Sequence, residues 1–211
     1  FAERQTGIIY DIEHWQNDFI ILTNENALNF TLLRCPKNDF NARTPVIEYD
    51  EKRYLQQIYP FANKLFIEGR EDGLTQVWVY DGDKFERLQW DEPIYTLSIV
   101  RGQSYNTDEV LVEFESLVTP KTTYGLNLTT LEKSLIQVAP VTGHYDPNDY
   151  IQEQIWATAA DGTDIPVVAV YKKGTLDNGP APLILTGYGS YGYSSEPRFT
   201  PYRLPALERG I

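Results

Sequence analysis

Methionine is missing from the 211 residues, cysteine occurs once, histidine twice, and no apolar run approaches the length of a membrane span. The single cysteine, Cys35, rules out an internal disulfide and a thiolate metal cluster, and it fits a reducing compartment such as the cytoplasm. His14 and His144 lie far apart and no H-E-x-x-H string occurs, so no metal and no other cofactor is expected. A membrane helix needs roughly 20 consecutive apolar residues, so no membrane partner is expected. Positive charge is also in deficit. Eighteen Lys and Arg face 30 Asp and Glu, and the net charge of −12 repels nucleic acid and anionic membrane. For the missing methionine we have no physical account.

What is present is β-branched and aromatic residues, punctuated by Asn, Asp, Gly and Pro. Residues 7–12, 18–23, 29–34 and 44–49 read as four short strands, with a polar turn over 24–28. His14, just after the first of them, reads as a surface residue. The pattern then repeats. Second-strand cores start at Phe19, Leu65 and Val110, 46 and 45 residues apart, and third-strand cores centre on Thr31, Trp78 and Gly125, 47 residues apart. A period of about 40–50 residues carrying four strands is that of a β-propeller blade, and rings typically hold 4–8 blades. The sequence therefore predicts a mostly β chain with about three blades over 1–140, part of a larger ring. Glu71 with Asp72, and Asp91 with Glu92, are adjacent carboxylates that alternation sends to opposite faces, and they read as solvated turn residues. The triplets at Asn29 and Asn127 match a glycosylation acceptor and read as chance.

A Pro- and Gly-containing connector at 139–148 marks the boundary of a second domain, 141–211. It opens with a hairpin, strands 150–158 and 165–171 around a turn at Asp161 and Gly162. A polar loop leads to a buried strand at 183–185, then a glycine-rich loop, then a helix over 202–209 that holds Pro205 in its first turn. That order suits the start of an α/β sheet. The chain reads as an internal piece of something longer, because it begins without Met and stops after a glycine cap.

The loop is the one stretch that suggests chemistry. Residues 182–192 read PLILTGYGSYG, an apolar run that breaks into Gly187, Gly189 and Gly192 with Tyr188 and Tyr191 between them. A tyrosine held by glycines at a strand end can aim its hydroxyl into a cleft; the plainer alternative is a turn with two packed aromatics. The glycine spacing also matches a dinucleotide fingerprint, but that motif needs a helix opening at the third glycine, and Pro197 and Pro201 oppose one.

These strings resemble the prolyl oligopeptidase family of serine peptidases, most of all its oligopeptidase B branch. The resemblance rests on IWATAADGT (155–163), PVVAVYKKGT (166–175), GYGSYGY (187–193) and LERG (207–210), and in the blades on Asn29 with Phe30, EGREDGL (68–74) and SLVTP (116–120). It implies a seven-bladed propeller joined to an α/β-hydrolase domain, with the propeller restricting substrates to short peptides. The oligopeptidase B branch implies cleavage after Arg or Lys, and the name-giving branch would imply cleavage after Pro. The resemblance also implies that Tyr188 donates to the oxyanion hole and that Tyr191 lines the substrate pocket. The family's serine sits in a G-x-S-x-G elbow followed by Asp and His. Neither Ser190 nor Ser194 stands in such a string. The resemblance places the triad beyond Ile211, so this piece is expected to be inactive alone. The competing reading is a non-catalytic propeller module that binds partners; a G-x-S-x-G further along the reading frame separates the two.

Overall fold

The computed structural model describes residues 3–211. Three four-stranded antiparallel meanders follow one another: β1 (Tyr10–Trp15) to β4 (Thr44–Ile47) through β2 (Asp18–Thr23) and β3 (Thr31–Pro36); β5 (Arg53–Phe61), β6 (Lys64–Glu71), β7 (Leu74–Tyr80) and β8 (Phe85–Arg87); then β9 (Thr96–Ile99), β10 (Glu109–Glu115), β11 (Thr122–Asn127) and β12 (Lys133–Val138). Within each meander a strand pairs only with its sequence neighbours, and these are the propeller blades expected from the repeat. A hairpin, β13 (Tyr150–Thr158) with β14 (Asp164–Lys172), is a separate sheet, and a single helical turn, α1 (Leu204–Leu207), follows a short 3-10 turn at Pro201–Arg203. No described helix is long and apolar enough to cross a membrane.

The described chain divides into two compact units, each discontinuous in sequence. The first holds residues to Trp90 with Leu97–Val112 and Gly125–Ser134; the second holds Asp91–Thr96, Glu113–Tyr124 and Leu135–Ile211.

In the first unit a blade's faces are too apolar to stand in water. Trp15, Ile20, Leu22, Leu32 and Ile47 from the first meander pack against Leu55, Ile58, Leu65, Ile67 and Trp78 from the second. Each fully enclosed Leu or Ile contributes about 1.5–3 kcal/mol. Trp15 is wholly buried, and its indole N–H donates to the Phe61 carbonyl at 2.7 Å, which removes the cost of a buried unpaired donor. Tyr105 ties the two hairpin ends: Ala62 N–H donates to its carbonyl at 2.9 Å and Gln16 N–H to its hydroxyl at 3.1 Å. The β5–β6 ladder slips by one residue between Leu55 and Gln57, leaving Gln56 unpaired as a bulge. Gly69 sits at that slip, where a Cβ would run into the Tyr54 carbonyl oxygen.

In the second unit the chain end docks on the base of the hairpin. Leu207 packs with Val118 and Tyr150, flanked by Tyr145, Val170 and Leu204. The Tyr150 hydroxyl donates to Glu208 Oε1 at 2.6 Å, and Lys172 Nζ meets Glu208 Oε2 at 2.5 Å. Burial, then Glu208, pushes the Tyr150 phenol up to about 12, while Lys172 and Tyr150 hold the Glu208 carboxyl below its ordinary value. Glu92 uses both carboxylate oxygens, accepting from Thr119 Oγ1 at 2.5 Å and Gln152 Nε2 at 2.8 Å.

The chain departs from expectation in several places. Glu92, read as a solvated turn residue, is part-buried and hydrogen-bonded, and the strands expected at 29–34 and 44–49 run over Thr31–Pro36 and Thr44–Ile47. Residues 183–185 form no strand; the three side chains are 79%, 65% and 77% exposed, because no described strand lies alongside to accept the ladder. The first strand begins at Tyr10 rather than Gly7, since Gly7 takes a φ of 82° and the Asn24 side chain ties down the Ile9 N–H at 2.7 Å. His14 consequently lies within β1 instead of after it. The expected helix over 202–209 shortens to α1, with Pro205 in its first turn and Gly210 closing it at a φ of 78°.

Two outcomes follow from this packing. Gly69→Ala should lower stability by about 1–3 kcal/mol, since backbone must move. Gly125→Ala should cost much less, because its Cβ would meet only the flexible end of Glu109; urea unfolding of the two variants compares them. The docking of residues 204–211 should weaken at both extremes of pH. The Glu208 contribution is present above its ordinary value and is lost as pH falls through its lowered one. The Tyr150 contribution is complete below about 10 and is lost as pH rises through about 12. Hydrogen exchange across 204–211 reads both limbs.

Candidate functional site

The glycine-rich loop lies in the second unit. Its backbone is irregular over 181–200, broken only by a tight turn at 190–193. In that turn Tyr193 N–H donates to the Ser190 carbonyl at 3.1 Å, and Tyr191 and Gly192 both take positive φ, 56° and 67°. Gly192 suits such a backbone; Tyr191 bears the strain of it. Gly187 and Gly189 have open space where a Cβ would stand and need no special φ, so of the three glycines only Gly192 is demanded by local geometry.

Both sequence-predicted site residues lie on this loop and face solvent. Tyr188 is 58% exposed, and its ring meets Tyr193 edge-on, with centroids 5.6 Å apart and planes at 83°. Among the described residues none hydrogen-bonds the Tyr188 hydroxyl, which leaves a phenolic donor uncommitted. Tyr191 is 99% exposed. No helix opens at Gly192, and the backbone remains irregular up to the 3-10 turn at Pro201, so the loop lacks the helix N-terminus that a pyrophosphate would need. No group of three or more His, Cys, Asp or Glu that could hold a metal ion occurs among the described residues.

Sequence reasoning misses a recess of mixed polar and apolar lining in the first unit. It has a volume of about 390 Å³ and is walled by Glu13 and His14 of β1, Gln57 and Tyr59 of β5, and Arg101, Gln103 and Tyr105 of the loop after β9. Arg101 donates to Gln57 Oε1 at 2.9 Å, and Gln57 Nε2 reaches Asp11 Oδ2 at 3.4 Å. Burial, with Asp11 nearby, raises the Glu13 carboxyl. Beside the recess, Tyr59 donates to Glu68 Oε2 at 3.0 Å. The i, i+2 spacing of Asp11 with Glu13 is readable as one strand face. Gln57 and Tyr59 of β5 keep the same i, i+2 spacing, but the bulge at Gln56 reverses the face that alternation from Leu55 would assign them.

The chain is 60% identical over 209 residues to Protease 2 of Moraxella lacunata, covering 99% of this chain and 30% of that protein. It is 29% identical to dipeptidyl aminopeptidase BI of Pseudoxanthomonas mexicana, again over 30% of that protein's length. The structure superposes on oligopeptidase B from Trypanosoma brucei with a TM-score of 0.90 and 29% identity, and on oligopeptidase B from Leishmania major with a TM-score of 0.89 and 31% identity; each match covers 99% of this chain and 31% of the other. The chain thus spans about 30% of the length of the curated relatives it matches. Residues 1–139 match the family described as prolyl oligopeptidase, N-terminal beta-propeller domain, and the chain belongs to the prolyl oligopeptidase family.

Proposed function

We propose that this chain is part of a cytoplasmic serine oligopeptidase that hydrolyses short peptides after Arg or Lys through an acyl-enzyme. Residues 1–140 supply propeller blades, and residues 141–211 open the α/β-hydrolase domain. The 60% identity to Protease 2 along nearly the whole chain is the observation that carries this reading. The nucleophile, its Asp and its His belong to a part of the protein outside these 211 residues.

In this reading the serine oxygen attacks the scissile carbonyl, and the histidine takes its proton. The carbonyl oxygen becomes an oxyanion, and collapse of the intermediate expels the amine, which takes the proton from the histidine. Water then repeats the sequence to release the acid. Tyr188 donates its hydroxyl proton in a hydrogen bond to the oxyanion, where charge develops only in the transition state. Its uncommitted hydroxyl in a glycine-flanked loop supports that role. Tyr191 contributes to the substrate pocket.

The test is hydrolysis of matched reporter peptides ending in Arg, Lys or Pro by the full-length protein and its Tyr188→Phe variant. Arg and Lys peptides should be cleaved, and the variant should lose roughly 10²–10³ in kcat with little change in KM. Preference for Pro would overturn the specificity, and an unchanged kcat would overturn the role of Tyr188. The 211-residue chain alone should turn over none of the peptides.

A further inference from the structure

Within the first unit, Glu68 of β6 reaches from its own meander to β9. Its Oε1 accepts the backbone N–H of Ile99, the last residue of β9, and its Oε2 accepts the Tyr59 hydroxyl at 3.0 Å. The neighbouring Val100 N–H turns the other way, to the Leu111 carbonyl at 3.0 Å. The Ile99 N–H therefore points off the open edge of β9, and a carboxylate stands where a strand partner would otherwise be needed.

We infer that the Glu68 carboxylate is a proton-sensitive latch that fixes the start of the loop after β9, and through it one wall of the recess lined by Glu13, His14 and Gln57. The loop begins one residue after the latched amide. Arg101 and Gln103 follow it into the recess, and Tyr105 ends it on Gln16 and Ala62. The charged and titratable groups bearing on Glu68 are Tyr59 from β5 and Arg101 from the loop.

Burial raises the Glu68 carboxyl above its ordinary value, outweighing the lowering by the Ile99 amide, Tyr59 and Arg101. When protonated, Glu68 can donate to the Tyr59 oxygen and still accept the Ile99 N–H, so the bridge survives without a buried charge. A carboxyl raised in the closed state favours that state fully below about 4.3, and the contribution is lost as pH rises through the raised value. The latch is accordingly tightest in acid.

Hydrogen exchange at Ile99 in the full-length protein, corrected for the intrinsic pH dependence of exchange, tests this. Protection in the wild type should be lost progressively as pH rises through the raised value. Glu68→Gln, which keeps an acceptor for Ile99 and cannot ionise, should show protection that does not vary with pH. Tyr59→Phe removes a donor to the carboxylate and should move the fall to higher pH. Identical profiles for the wild type and Glu68→Gln would overturn the inference, as would an unmoved profile in Tyr59→Phe.

Discussion

A four-stranded meander has two faces and, when both are apolar, no way to bury them by itself. The hydrogen bond from the Trp15 indole to the Phe61 carbonyl shows how the first two blades meet that constraint. A large side chain from the end of one strand enters the adjacent meander and satisfies its single polar atom on backbone there. The same approach brings Ile20, Leu22 and Leu32 against Leu55, Ile58 and Leu65. The indole needs the partner strand to end at that position, so apolar packing and polar satisfaction fix the same alignment. The Tyr105 contacts act at the same hairpin ends and depend on it.

The second unit solves a different problem. Its hairpin is largely exposed, and one apolar cluster of the unit centres on Val118, Tyr150 and Leu207. Polar contacts close round that cluster. Ser116 Oγ accepts the N–H groups of Val118 at 3.1 Å and Thr119 at 2.8 Å, Glu92 holds Thr119 and Gln152, and Tyr145 donates to the Val118 carbonyl. Individual exposed ion pairs are worth little. Here Glu208 is shared by Tyr150 and Lys172, so one carboxylate orients a phenol and an ammonium at once.

The blades are legible because a propeller repeats its instruction: the cores at Phe19, Leu65 and Val110 fall in β2, β6 and β10, each the second strand of its meander. Local alternation is enough for the hairpin as well, where Trp156 pairs with Pro166 and Thr158 with Asp164. The run at 183–185 misleads because apolar residues state a need for burial without saying what will supply it. The glycine loop can be found from spacing, yet only Gly192 uses the backbone freedom that marks the motif. Glu68 is invisible for a deeper reason. Its partners, Tyr59 and the Ile99 amide, are nine and 31 residues away, and one of them is backbone, which leaves no residue-type signal.

The unpaired Gln56 changes what a single position in β5 means. Before the slip Leu55 joins the apolar cluster; after it Ile58, three residues on, joins the same cluster, while Tyr59 turns to Glu68. The bulge is a phase shift in an otherwise two-residue rhythm. Were Gln56 drawn into the ladder as an ordinary pair, strict alternation from Leu55 would send Gln57 and Tyr59 into the core and Ile58 out towards the carboxylate. Deleting Gln56 would instead straighten the strand and leave both faces as they are. One glutamine thus acts as a spacer whose side chain matters less than its refusal to pair, and an alignment that counted it as a regular strand position would assign every later residue of β5 to the wrong face.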